Sequence, residues 1–104
     1  MKFSILERIG LLNILSPEGS FVTYGMIMDL RKELSFSAKE IKDYKIVEQN
    51  GRVTWDNNLE KLKEIEINDV IQKIIRKALE KLDKEEKINE ASASLYKRFV
   101  LQVK

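Results

Sequence analysis

Histidine and cysteine are both missing from this chain of 104 residues. Histidine is the usual general base near neutral pH and the commonest metal ligand. Cysteine supplies the most reactive nucleophile and the soft ligand for zinc and iron–sulfur centres. Serine and threonine remain as nucleophiles, with no imidazole to activate them. No disulfide framework exists either, so nothing favours an oxidising compartment. Proline occurs once, at Pro17, and the four glycines (Gly10, Gly19, Gly25 and Gly51) lie too far apart for a phosphate-binding loop. No apolar run approaches the roughly 18 residues that span a bilayer. Net charge is only +2, with the signs interspersed. Residues 29–45 carry five basic and four acidic side chains, and residues 69–87 carry six and five. Nucleic-acid binders gather like charge into a patch, so this mixing argues against one.

What is present is 43% apolar and 35% charged, a balance that fits one globular domain over 1–104 with a charged surface. The start, MKFSILERIGLLNIL, has the outline of a signal peptide. Glu7 and Arg8 interrupt its apolar stretch and no small-residue cleavage site follows, so a cytoplasmic location is expected.

Periodicity predicts a mostly helical α+β fold of about five helices, with a small antiparallel hairpin or three-stranded sheet in the middle. Ser4 and Glu7 form a capping box opening a helix to Leu15. Its apolar face is wide: Ile5, Leu6, Ile9, Leu12 and Leu15, extended by Leu11 and Ile14. Gly10 within it predicts close packing against another element. Phe21-Val22 reads as a short extended bridge, and Thr23 as the cap of a second helix with the stripe Ile27, Leu30 and Leu34. Ser37 and Glu40 form another capping box, opening a short helix to about Tyr44.

The period then becomes two. Lys45–Gln49, Asn50-Gly51 and Arg52–Trp55 predict a hairpin with a type I′ turn, pairing Gln49 with Arg52, Glu48 with Val53 and Val47 with Thr54. Ile46, Val53 and Trp55 then share one face, expected to meet the core. Lys63–Ile67 alternates as a third strand, with Ile65 and Ile67 inward. Asn68 or Asp69 caps the clearest helix, striped by Val70, Ile71, Ile74, Ile75, Ala78, Leu79 and Leu82. Asn89 caps a last helix carrying Leu95, Tyr96, Phe99, Val100 and Val103.

Several clusters invite a chemical reading. Lys73, Lys77, Lys81 and Lys84 form a basic strip, but Glu80 and Asp83 interleave it, as on an ordinary solvated face. Asp56, Glu60, Glu64 and Glu66 lack the spacing of a calcium loop. Trp55, with Tyr44 and Phe36, offers a stacking platform for bases, though a single Trp beside a hairpin more commonly plugs a core. No catalytic residue, cofactor or metal site is expected.

The element order of the first half resembles a winged helix-turn-helix. Helices at 4–15 and 23–34, a bridging strand near 21–22, a recognition helix at 37–44 and a wing at 45–55 would correspond. The resemblance implies phosphate contacts from Lys39, Lys42, Lys45 and Arg52. The recognition helix would be short and would carry Glu40 and Asp43. The segments LERIGLLNILSPEGSF, ELSFSAKE, KEIEIND, ALEKLDKEEKI and SLYKRF, with the hairpin Trp55, resemble small bacterial and phage proteins without an established activity. That resemblance implies a phage or mobile-element origin and transfers no active site.

The expected function is therefore that of a non-enzymatic intracellular interaction or regulatory protein. It would act on another protein, or on a second copy of itself, with no membrane involved. The alternative is a winged-helix-like DNA-binding regulator. Tyr96, Phe99, Val100 and Leu101, crowded near the chain end beside Lys97 and Arg98, are the expected protein interface.

Overall fold

A computed structural model of the chain describes residues 1–101; Val103, expected on the last helix, lies outside the described residues. The fold is α+β, in the order β1 (Lys2–Phe3), α1 (Ile5–Ile14), α2 (Phe21–Leu34), α3 (Ala38–Asp43), β2 (Val47–Gln49), β3 (Arg52–Thr54), β4 (Lys63–Glu64), α4 (Asp69–Lys84) and α5 (Glu90–Tyr96). Helix α5 runs directly into a π-helical turn, Lys97–Leu101. The strands make two separate antiparallel pairs, β1–β4 and β2–β3, where a single central sheet of up to three strands was expected.

Helix starts follow local capping chemistry. The Ser4 and Ser37 hydroxyls accept from the N–H groups of Glu7 and Glu40, whose carboxylates return the bond in full capping boxes. Asn68 caps α4 and Asn89 caps α5. Helix α2 departs from expectation. The Ser20 side chain, not Thr23, accepts from the Thr23 N–H, and Phe21 and Val22 form its first turn. No bridging strand exists there, because a serine cap overrides the weak extended preference of an aromatic followed by a β-branched residue.

One cluster of buried side chains joins α1, α2, α4 and the C-terminal helix; α3 contributes no buried residue. Leu11 and Leu15 of α1 meet Ile27, Leu30 and Leu34 of α2, Ile71, Ile75 and Leu79 of α4, and Leu95 and Phe99. Phe3 and Ile65 close one end, and the Phe3 and Phe99 rings stack with centroids 6.2 Å apart. Helix α1 crosses α5 closely at Gly10. A Cβ there would lie 3.0 Å from Leu95 Cδ1 and 3.1 Å from Ala91 Cβ, the close approach the glycine predicts.

The β2–β3 hairpin has the predicted register, with Asn50 and Gly51 at φ of 54° and 76° in the turn. It stands outside the central cluster: Ile46, Val53 and Trp55 are half-buried, and Ile46 and Val53 line a groove. Lys63-Glu64 pairs with Lys2-Phe3 instead of extending this hairpin, while Ile65 is buried as expected.

Candidate binding groove

Helix α1 is apolar almost all round, and its core needs only part of that surface. Leu11 and Leu15 turn inward, while Ile9, Leu12 and Asn13 remain on the side facing the hairpin. Ser35 and Phe36 from the α2–α3 corner, Ile41 from α3, and Ile46, Glu48 and Val53 from the hairpin complete an open groove of about 450 Å³. The volume is in the range of sites that hold a small ligand or a few side chains. Glu48 is the one charged side chain in the lining.

What fixes the groove is a buried arginine. Arg8 of α1 is 1% exposed and reaches across to the α2–α3 corner. Its Nε donates to the Leu34 carbonyl at 3.1 Å, and Nη2 donates to the Ser35 carbonyl at 2.7 Å. These are carbonyls that α2 leaves open at its C-terminus. Nη1 and Nη2 donate to the two Glu40 oxygens at 2.7 and 3.2 Å. The guanidinium also lies 4.1 Å from the centre of the Phe36 ring. Glu40 meanwhile accepts from the Ser37 N–H at 3.0 Å, closing the cap of α3. The Arg8 hydrogen bonds hold the Glu40 carboxyl at about 2, against the opposing effect of burial; the Ser37 N–H and the positive charges of Arg8 and Lys63 add to the lowering. One side chain of α1 thus positions Ser35, Phe36 and, through α3, Ile41. The hairpin is tied on by the Ile46 N–H donating to the Ile41 carbonyl and the Asp56 N–H donating to the Tyr44 carbonyl, both at 2.9 Å.

A second, part-buried ion pair lies about 100° round α1 from Arg8. Arg98 donates to both Glu7 oxygens at 3.1 Å and to the Lys2 carbonyl at 2.8 Å, with its guanidinium 4.8 Å from the Phe3 ring centre. Ser94 donates to the same carboxylate at 3.0 Å. Burial would raise the Glu7 carboxyl, but the Ser4 N–H, Arg98 and Ser94 together hold it below the usual range. Neither network was anticipated from the sequence. The available signal was the adjacent Glu7-Arg8 pair inside an apolar helix, where each charge demands a partner.

Most expected site residues lie away from the groove. Lys39, Lys42, Lys45 and Arg52 are exposed. Helical spacing sets Lys39 opposite Ile41, and strand alternation sets Arg52 on the face opposite Val53. Arg98 belongs to the Glu7 network, not to an open rim. Phe99 is corrected from interface to core, since at 2% exposure it stacks on Phe3. Tyr96 and Val100 are half-buried against the core edge, and Leu101 alone of that group is open, at 68%.

Three of the four carboxylates hold the chain to itself: Glu60 accepts from the Ile5 N–H, Asp56 from the Asn58 N–H, and Glu64 sits 3.6 Å from the N-terminal ammonium. Among the described residues no three acidic side chains gather as a metal site, and no helix is long and apolar enough to cross a membrane. Lys77, Lys81 and Lys84 are exposed with Glu80 among them. No family model, curated protein or solved structure matches the chain.

Proposed function

We propose that this chain is a non-enzymatic interaction or regulatory protein that works in the cytoplasm by contact with another protein. The observation that carries the reading is the groove. Six apolar side chains line it while the core behind it is closed. Its lining holds one titratable group, Glu48, and so offers no acid–base pair for catalysis. The occupant is a segment of a partner protein that inserts apolar side chains and sets a basic residue against Glu48. Such a partner would be a host or phage protein if the resemblance to small phage-type proteins reflects origin.

A displayed peptide library selected against the full chain tests this. Enriched peptides should pair apolar residues with Lys or Arg, and should lose at least tenfold in affinity against Ile41→Glu or Val53→Glu. Enrichment indifferent to both variants defeats the reading. The DNA-binding alternative draws on the four exposed cations Lys39 and Lys42 of α3, Lys45 in the turn after it, and Arg52 of the hairpin. A mobility shift with duplex DNA that falls steeply with salt, and is lost in Lys39→Ala/Lys42→Ala, would establish it instead.

A further inference from the structure

The hairpin has two edges, and its hydrogen-bond phase decides what each one offers. A two-residue turn makes Gln49 and Arg52 the bonded pair that closes it. Bonding then alternates along the ladder. Val47 and Thr54 bond inward, while Glu48 and Val53 turn their N–H and C=O groups out to opposite edges. Ile46 and Trp55, one pair further from the turn but one, repeat that outward setting. The Ile46 N–H agrees with this phase, since it donates away from the ladder to the Ile41 carbonyl of α3.

The β2 edge is guarded. The end of α3 occupies it at Ile46, and the charged Glu48 stands at its middle, two devices that keep edge strands from pairing. The β3 edge is open. Among the described residues β3 ladders with no strand but β2, and no backbone hydrogen bond from beyond the hairpin reaches Val53 or Trp55.

We propose that the partner segment binds in extended form, as a third strand antiparallel to β3 on this edge. The inference rests on the groove reading above and gives the occupant its backbone form and residue order. Edge and groove meet at Val53, which carries the outward backbone groups and lines the groove with its side chain. A residue set opposite Val53 exchanges two main-chain hydrogen bonds with it and points its own side chain to the same face. That residue is apolar. Its neighbour opposite Arg52 lies on the far face and is acidic, because Arg52 is exposed and has no ion-pair partner among the described residues. Charge also selects a partner's segment over a second copy. Two β3 strands paired about Val53 would set Arg52 against Thr54, leaving both arginines without an acid.

The probe is the peptide acetyl-Thr-Val-Thr-Val-Glu-Lys-Thr-amide, whose two valines and lysine share one face of the strand. Its second valine is the residue meant for Val53, its glutamate the one for Arg52. Titrated to about 1 mM into the isotope-labelled full chain, it should shift the Val53 and Trp55 amides saturably and slow their exchange at least tenfold. N-methylation of the second valine should weaken binding at least tenfold, and N-methylation of the glutamate less than about twofold, since that N–H faces away from β3. Arg52→Glu should weaken it several-fold, and a peptide with lysine in place of the glutamate should recover the loss. A flat or reversed N-methylation pattern, a helical bound peptide, or a charge swap that fails to rescue overturns the proposal. No binding at ~1 mM overturns it as well, whereas the groove reading stands or falls on the library selection and its Ile41→Glu control. Exchange protection of Val53 that grows with the concentration of the chain alone overturns it in favour of a second copy.

Discussion

Replacing Glu40 with glutamine would leave the Arg8 guanidinium buried without its opposite charge. Two estimates of the cost converge. The carboxyl titrates at about 2 in the fold against an ordinary 4.5. At about 1.4 kcal/mol per pH unit, that preference for the ionised form amounts to roughly 3 kcal/mol. Breaking a buried ion pair by removing one partner typically costs about 3–5 kcal/mol. The Glu40 side chain is 21% exposed, so solvent screens part of the loss and the lower figure applies. Glu40→Gln should therefore lose about 2–3 kcal/mol at pH 7.

The same numbers set a pH signature. The folded state binds the Glu40 proton less readily than the unfolded chain, so the stabilisation is complete above about pH 4.5 and disappears as pH falls towards 2. Glu7, also lowered, acts in the same direction and leaves the variant some acid sensitivity. Urea unfolding at pH 7 and at pH 2.5, followed by Trp55 emission and circular dichroism, measures both effects. The gap between wild type and Glu40→Gln should close substantially at the lower pH. A difference below about 0.5 kcal/mol at pH 7, or one of equal size at pH 2.5, would refute the assignment of Arg8 and Glu40 as a buried, mutually stabilising pair.

Gly10→Ala should destabilise by about 1–3 kcal/mol despite the better helix former, because the added methyl meets Leu95 and Ala91 at 3.0 and 3.1 Å; thermal unfolding reads it. Glu86→Gly should instead stabilise by about 0.5–1 kcal/mol, since Glu86 ends α4 at a φ of 57° and glycine adopts that conformation freely; the same denaturation series shows the gain. Gly51→Val meets no neighbour but sits at a φ of 76°, so it should cost about 1–3 kcal/mol through backbone strain alone, seen as a lowered urea midpoint.

Features encoded over a few residues were legible in the sequence. The capping boxes at Ser4 and Ser37, the Asn50-Gly51 turn with its register, and the inward Ile71, Ile75 and Leu79 of α4 are all set by neighbours in the chain. Pairing of β1 with β4 was not, because two strands of two residues, separated by about sixty positions, have no period to read. Placement of the hairpin against α1 instead of the core also escaped. Period two says that Ile46 and Val53 share a face, but not which surface that face meets. The groove depends on the long-range contacts of Arg8, for which a charge inside an apolar helix was the only local sign.

Those contacts also pin one side of the groove more firmly than the other. Glu7 and Arg8 are consecutive, point about 100° apart around α1, and find partners 91 and 32 positions away in Arg98 and Glu40. Helix α1 is therefore pinned to the C-terminal helix and to the α2–α3 corner at once. Ile9, Leu12 and Phe36 inherit that rigidity. The opposite wall is held less firmly: two backbone hydrogen bonds tie the base of the hairpin to Ile41 and Tyr44, while β2 and β3 pair only with each other and their side chains remain outside the buried cluster. Local opening should follow this difference, being cheap for the hairpin and close to global unfolding for α1. Amide exchange in the free chain should accordingly be fast over Val47–Thr54 and slow over Ile5–Ile14. A peptide selected for the groove should slow exchange in the hairpin by at least tenfold while leaving α1 nearly unchanged, because only the hairpin gains order on binding. Equal protection of both walls in the free chain would mean the hairpin is held by contacts other than those of the groove.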